Sequence, residues 1–407
     1  MGTILLTTIG TGDYLATTYH LGHHHADTTP YVAQALCQLL PIEHVILLVT
    51  AEARAKHWST LQPLLPPGSQ AKDIPSGETE AETWQIFDVL VESIPPQSDI
   101  CFDITHSFRS IPMLVLLGAA FLRTAKQVTI SGLYYGLYRH GQAQTPILDL
   151  TSALRLLDWL TATDQFITTG SSQQLGSLLE TIQRDFYRQP PAPASPRPRN
   201  LISFGNTIRN ISRSLELIRP ITLLEQDLPR LQHQSTDQLT AEIGTFAKPF
   251  SLLLTSIQNS YAPLALPPHQ RDPQHQIQQH FRLIQWYIQK RYTVQAILLA
   301  REWIVSALCV QSGIPDYRER SCRETIERQL GSLLGHGDSP GLDQPIAAHV
   351  SSIEDLQKLW SRLTEFRNDI AHAQMRVSPL DGQALESFAL ELLLPALTSL
   401  FSDLLPS

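Results

Sequence analysis

Apolar residues in the first 150 positions fall into short dense runs, with longer stretches of helical spacing between them. Runs rich in Ile, Leu, Val and Tyr at 3–9, 44–50, 99–104 and 128–135 have the length and composition of buried strands. The stretches 30–40, 78–94 and 111–124 repeat their apolar positions every three or four residues and read as helices. That alternation predicts an α/β domain with a parallel-sheet core and helices on both faces, a Rossmann-like wrap. Residues 147–150 add a candidate edge strand.

After position 150 the period changes. Residues 151–187 read as helical, with Leu154, Leu157, Trp159, Leu160 and Phe166 near helical spacing. The run Gln189-Pro190-Pro191-Ala192-Pro193-Ala194-Ser195-Pro196-Arg197-Pro198 can form neither helix nor strand and punctuates the chain. Beyond it no strand alternation recurs, and helices are predicted at 201–217, 236–257, 275–290, 294–310, 321–334, 353–371 and 383–404. The expected organisation is an α/β domain over 1–188 with a helical extension from about 151, a Pro-rich linker over 189–200, and an all-α domain over 201–407. A chain of 407 residues is long enough to give each domain its own core.

Composition narrows the function. A net charge of −8 and the lack of a dense Arg/Lys helix face argue against a duplex-DNA binder. RNA stays open, because a cleft needs only a few local cations. Cys37, Cys101, Cys309 and Cys322 have no CxxC or zinc-like spacing and read as reduced thiols. The apolar start at Ile4 has no basic region ahead of it and reads as a strand, not a signal peptide. The longest greasy stretch, 111–122, is too short to span a bilayer, so a cytoplasmic protein without membrane contact is expected. His20, His23, His24 and His25 lie in a Gly- and Asp-containing segment without a spaced carboxylate or Cys partner. They read as a solvated loop, and no metal site is expected.

In open α/β sheets, ligands collect beyond the carboxyl ends of the strands. Two polar loops are predicted there. One holds Gly10, Thr11, Gly12 and Asp13, where glycine permits close backbone approach and the side chains offer hydrogen bonds. The other holds Thr105, His106, Ser107 and Arg109, opening toward a helix N-terminus, a combination suited to an anion or phosphate. The plainer alternative is a tight turn with Arg109 in an ordinary ion pair. A dinucleotide fingerprint fails because Leu15 stands where its third glycine belongs.

The strongest helical pattern lies at 353–371, where Ile353, Leu356, Leu359, Trp360, Leu363, Phe366 and Ile370 form one apolar stripe. Ser351 with Glu354 is a plausible capping box at its start. Its end carries Arg367-Asn368-Asp369-Ile370-Ala371-His372. Histidine can move a proton near neutral pH, Arg can stabilise charge on a phosphorane, and Asn can orient either partner. These are the groups needed to cut RNA by attack of its own 2′-OH, without a metal. Asp369 is a weaker candidate to orient the imidazole. Arg367 and His372, five apart, are rotated by roughly 140° on a regular helix. A dimer that brings two copies together would overcome that divergence.

The two motifs in this order resemble the CRISPR-associated accessory nucleases of type III systems, which join a Rossmann-like CARF domain to a helical HEPN ribonuclease domain. The resemblance rests on Asp103-Ile104-Thr105-His106-Ser107-Phe108-Arg109, on Ser76-Gly77-Glu78-Thr79-Glu80 with Trp84 and Phe87, on Ala296 with Arg301-Glu302, and on Arg367-Asn368 with His372. It implies that Arg367, Asn368 and His372 are catalytic. It also implies that Gly10, Thr11, Gly12, Asp13, Thr105, His106, Ser107 and Arg109 bind a cyclic oligoadenylate: cyclic tetra-adenylate, with cyclic hexa-adenylate the alternative. No cofactor beyond this activator is implied. The implied protein is a homodimer, or an oligomer of dimers, that cuts single-stranded RNA to 2′,3′-cyclic phosphate and 5′-OH ends. Cleavage of the activator itself is left open. Ser107 stands where the family often has Gly, which puts the ring size in doubt. A ligand sensor with an inert HEPN domain is the alternative.

Overall fold

The computed structural model describes residues 2–106, 111–188, 196–234, 236–335 and 346–405. They form two compact units, Met1–Asp158 and Trp159–Ser407.

The first unit is built on an eight-stranded sheet. Its strands are β1 (Thr3–Ile9), β2 (Thr17–Leu21), β3 (His24–Thr29), β4 (Ile42–Val49), β5 (Gln70–Asp73), β6 (Asp99–Asp103), β7 (Thr129–Gly136) and β8 (Gln144–Asp149), in the order β3-β2-β8-β7-β6-β1-β4-β5. β5, β4, β1, β6 and β7 are parallel neighbours, whereas β8 runs antiparallel to β7. The expected parallel core is present, with β1 and β6 side by side at its centre. β1 and β4 are nearly all buried, as a strand covered on both faces must be. Helices Val32–Leu39, Glu80–Ser93 and Ile111–Ala125 follow the predicted stretches.

Two expectations in this unit are corrected. The segment at 147–150 is no edge strand: β8 lies between β2 and β7. The histidine-rich segment is not a loop but the antiparallel β2–β3 hairpin, in which His20 pairs with His25. In β3 only Ala26 and Thr29 are buried, so its residues read as polar and give no strand pattern. A helical stretch over 51–64, started by Thr50 accepting the Ala53 N–H, was also missed.

The second unit is all-α among the described residues. The helical extension assigned from the sequence to the first domain joins this unit's core from residue 159 onward. Trp159 stacks on Phe250 at 5.2 Å and Phe166 on Tyr261 at 4.9 Å. The single helix read at 151–187 is two, Thr151–Thr169 and Gln173–Arg188. Gly170 separates them with φ at 73°, a conformation a side chain there would resist. The stretch 236–257 likewise breaks into Asp237–Phe246 and Lys248–Tyr261, because Ala247 leaves helical geometry ahead of Pro249.

Helix Thr293–Gln311 is long and apolar enough to cross a membrane by length and composition, which the sequence reading overlooked. Its Trp303, Ile304, Val305 and Leu308 are instead buried in the helical core. Trp303 packs edge-on against Phe401 at 5.1 Å and donates its indole N–H to the Ile277 carbonyl at 2.8 Å.

Candidate functional site

In the first unit, the loops after β1 and β6 meet as expected. The organising group is Asp103, the last residue of β6 and fully buried. It accepts the Thr7 hydroxyl at 2.5 Å, the Thr105 hydroxyl at 2.5 Å and the Thr105 N–H at 3.0 Å. Burial raises its carboxyl to about 6, with these three bonds pulling the other way. The Thr105 hydroxyl also accepts the Gly136 N–H at 2.8 Å. A Cβ at residue 136 would crowd Thr105 and Tyr19 at 3.1 and 3.2 Å, so glycine permits this approach. The Thr105 hydroxyl is thus engaged inside the protein.

Above this network lies a group of aromatic and basic side chains. The Tyr14 ring sits 4.0 Å from that of His106 and 5.2 Å from that of His57, and its hydroxyl accepts the Gly10 N–H at 2.9 Å. His57 Nε2 meets the Gly12 carbonyl at 3.1 Å, and its Nδ1 meets the Tyr31 hydroxyl at 3.2 Å. Lys56 bonds the Thr11 carbonyl at 2.8 Å and the Asp13 carboxylate at 2.6 Å. The Lys56 ammonium lowers the Asp13 carboxyl below its ordinary range. Burial, aided by the charge of His57, lowers the His106 imidazole to about 4. The buried Nε2 of His106 has no hydrogen-bond partner.

Gly10, Thr11, Gly12, Asp13, Thr105 and His106 are therefore brought to one rim, while Ser107 and Arg109 lie outside the described residues. Tyr14, Lys56 and His57 were not singled out from the sequence as site residues. The available signal for the last two was their place just beyond the carboxyl end of a parallel strand, after Thr50. A short helix with few apolar positions concealed it.

In the second unit, helix Ile353–Ala371 forms over the predicted residues. Its cap is displaced by one residue from the expected Ser351: Ser352 accepts the Asp355 N–H at 3.2 Å. Leu356, Leu359, Trp360, Leu363 and Phe366 bury the stripe, and Phe366 meets Phe388 edge-on at 4.8 Å. Arg367, Asn368 and His372 are all exposed on its last turn. The Arg367 guanidinium donates to Asn368 Oδ1 at 3.1 Å. His372 ends the helix, its N–H bonded to the Asn368 carbonyl at 3.0 Å. Ala373 and Gln374 then take φ values of 48° and 67°, left-handed geometry that costs a non-glycine residue about 1–2 kcal/mol. Met375 N–H returns to the His372 carbonyl at 2.8 Å, and this turn sets the direction of the histidine backbone.

Asp369, considered from the sequence as an orienter of the imidazole, is buried and serves another group. Its Oδ1 accepts the Leu380 N–H at 3.1 Å, and Arg376 lies 3.8 Å away. Among the described residues, no cluster of three or more His, Cys, Asp or Glu side chains is arranged to hold a metal.

Sheet and helices together define a Rossmann-like α/β domain followed, among the described residues, by an all-α domain. The family described as "CRISPR-associated protein MJ1674, second domain" matches residues 155–263. CRISPR-associated protein MJ1674 of Methanocaldococcus jannaschii is 24% identical over 334 residues, covering 79% of this chain and 45% of that protein. The chain therefore spans about half the length of this curated relative. Among solved structures, Enterococcus italicus Csm6 bound to cyclic hexa-2'-fluoro-hexa-dAMP matches 98% of this chain and 95% of that one, at 12% identity and a TM-score of 0.39. That superposition is too loose to carry residue roles across. The matches to MJ1674 bear out the resemblance raised by the motifs: the chain is a relative of CRISPR-associated proteins.

Proposed function

We propose that this protein is a ribonuclease gated by a cyclic oligoadenylate, acting on single-stranded RNA in type III CRISPR defence. The observation that carries the reading is the end of helix Ile353–Ala371, which presents Arg367, Asn368 and His372 together at the surface, ahead of a left-handed turn. Backbone strain of that kind concentrates at functional sites.

His372 takes the proton of a ribose 2′-OH as its oxygen attacks the adjacent phosphorus. The bond from phosphorus to the 5′-oxygen breaks, and that oxygen leaves with a proton supplied by an acid of the site. The products are a 2′,3′-cyclic phosphate and a 5′-OH. Arg367 stabilises the charge that builds on the phosphorane oxygens, the step in which a fixed cation contributes most. Asn368, bonded to Arg367, holds the guanidinium in place.

In the first unit, the rim of Gly10, Thr11, Gly12, Asp13, Thr105 and His106 receives the activator, with the Lys56 ammonium bonded to two of its members. Ser107 and Arg109 complete the proposed set. Trp84, Met113, Leu117 and Phe121 leave an exposed apolar face on two helices, joined through Phe87 by edge-on ring contacts. An exposed apolar face of that character suits a second copy of the chain. A two-fold cyclic ligand fits such an isologous pair, and its differential affinity for one dimer geometry would set activity. Cyclic tetra-adenylate is the proposed ring and cyclic hexa-adenylate the alternative.

The test is cleavage of a fluorescent single-stranded RNA in EDTA, with and without each cyclic oligoadenylate, alongside His372→Ala. Activation that disappears in the variant is expected. Ligand binding without cleavage would leave a sensor whose helical domain is inert.

A further inference from the structure

One turn before Arg367 and Asn368, the same helix forms a wall of a pocket of about 500 Å³ that no role above uses. Its lining includes Trp360 and Thr364 from this helix, Arg301 from Thr293–Gln311, and Glu324, Glu327 and Arg328 from Arg320–Leu333. Thr364 and Asn368 are four residues apart, so they share a helix face at a separation of about 6 Å along the axis. The pocket therefore opens beside the proposed scissile site.

Its lining has no excess of cations to hold a phosphate, two arginines facing two glutamates. Arg301 is already matched by Glu302 at 2.8 Å and Glu327 at 3.2 Å. Glu324 offsets the charge of Arg328 on the same wall. What remains is suited to a flat, neutral, hydrogen-bonding group. The Arg301 guanidinium lies 4.7 Å over the Trp360 ring, a planar platform of the kind on which unstacked bases rest. Arg301 Nε and Thr364 Oγ1 are both buried without a hydrogen-bond partner. Two orphan polar groups on one pocket call for a ligand that supplies their partners. The carboxylates accept from an exocyclic amino group, which adenine, cytosine and guanine carry and uracil lacks.

We infer that this pocket binds the base of a nucleotide flanking the scissile phosphate and favours a base with an exocyclic amino group over uracil there. The inference rests on the ribonuclease reading for the position of the cut, but the base preference can be measured without it. One arm sequences the product ends from a randomised single-stranded RNA cut by the activated full-length protein. A bias against uracil beside the cut is expected, with Thr364→Val and Glu327→Gln each lowering it by about fivefold, the worth of one hydrogen bond. The other arm measures anisotropy of fluorescent oligoadenylate and oligouridylate RNA on His372→Ala protein, with and without the same two substitutions. Tighter adenylate binding that either substitution weakens is the expected result. Glu327 is partly exposed, so its isosteric change tests the pocket even if Thr364→Val perturbs folding.

Equal binding of the two RNAs, or a cleavage bias unchanged in both variants, would overturn the assignment. If the protein cuts no RNA, the ribonuclease reading falls, and the binding arm alone decides whether the pocket takes a base.

Discussion

Asp369 Oδ1 accepts the backbone N–H of Leu380 at 3.1 Å, so the acid next to Asn368 faces inward and fastens the segment that follows His372. Removing it would leave an N–H without its partner and free the turn at Ala373 and Gln374. Asp369→Ala should lower stability by about 1–3 kcal/mol, read as an earlier denaturation midpoint. Because that turn sets the His372 backbone, RNA cleavage should fall as well, with activator affinity unchanged.

His372→Ala and Arg367→Ala should each reduce cleavage by about 10²–10⁴-fold, the usual worth of a positioned proton carrier or charge stabiliser. Both side chains are exposed and make few structural bonds, so the folded state should survive. Calorimetric binding of the cyclic oligoadenylate at wild-type affinity, with cleavage absent, would separate the two sites.

Lys56 ties the loop after β1 through the Thr11 carbonyl and Asp13. Lys56→Ala should weaken binding of an anionic cyclic oligoadenylate by about tenfold and reduce its salt dependence, as loss of one cation near phosphate predicts. Titrations at two ionic strengths would show it. Unchanged affinity and salt slope would remove Lys56 from the site.

Asp103 and His106 respond to pH in opposite senses. Burial raises the Asp103 carboxyl from 3.8 to about 6, so its folded state holds the proton more tightly than the unfolded chain. The stability this gives is present below the unfolded value and lost as pH rises through about 6. Burial lowers the His106 imidazole from 6.5 to about 4. Its contribution is present above the unfolded value and lost as pH falls through about 4. Between about pH 4 and 6 the two slopes offset one another. Asp103→Asn should therefore leave stability that rises with pH across this window, and His106→Gln stability that falls. Denaturation midpoints across the window would check both signs.

The sequence was most legible where one period dominates. β1 and helix Ile353–Ala371 have the bounds that apolar density and helical spacing predict: β1 is buried on both faces of the sheet and the helix along one stripe. The β2–β3 hairpin was not legible: His24, His25, Asp27 and Thr28 are ordinary loop residues, and only their pairing partners make them a strand. Lys56 and His57 escaped for a related reason, since nothing local says that a helix 45 residues from Gly12 folds back against its carbonyl.

The sequence by itself determined the α/β-then-α order, the two motifs, and the helix that carries Arg367, Asn368 and His372. Those follow from local spacing, which hydrophobic burial reads directly. Only the tertiary structure decided that Asp369 serves Leu380, that Thr105 is engaged by Asp103 and Gly136, and that Arg301 lies over Trp360 beside Thr364. A polar side chain's partner is chosen by what the fold brings within about 3 Å, and spacing along the chain does not carry that choice.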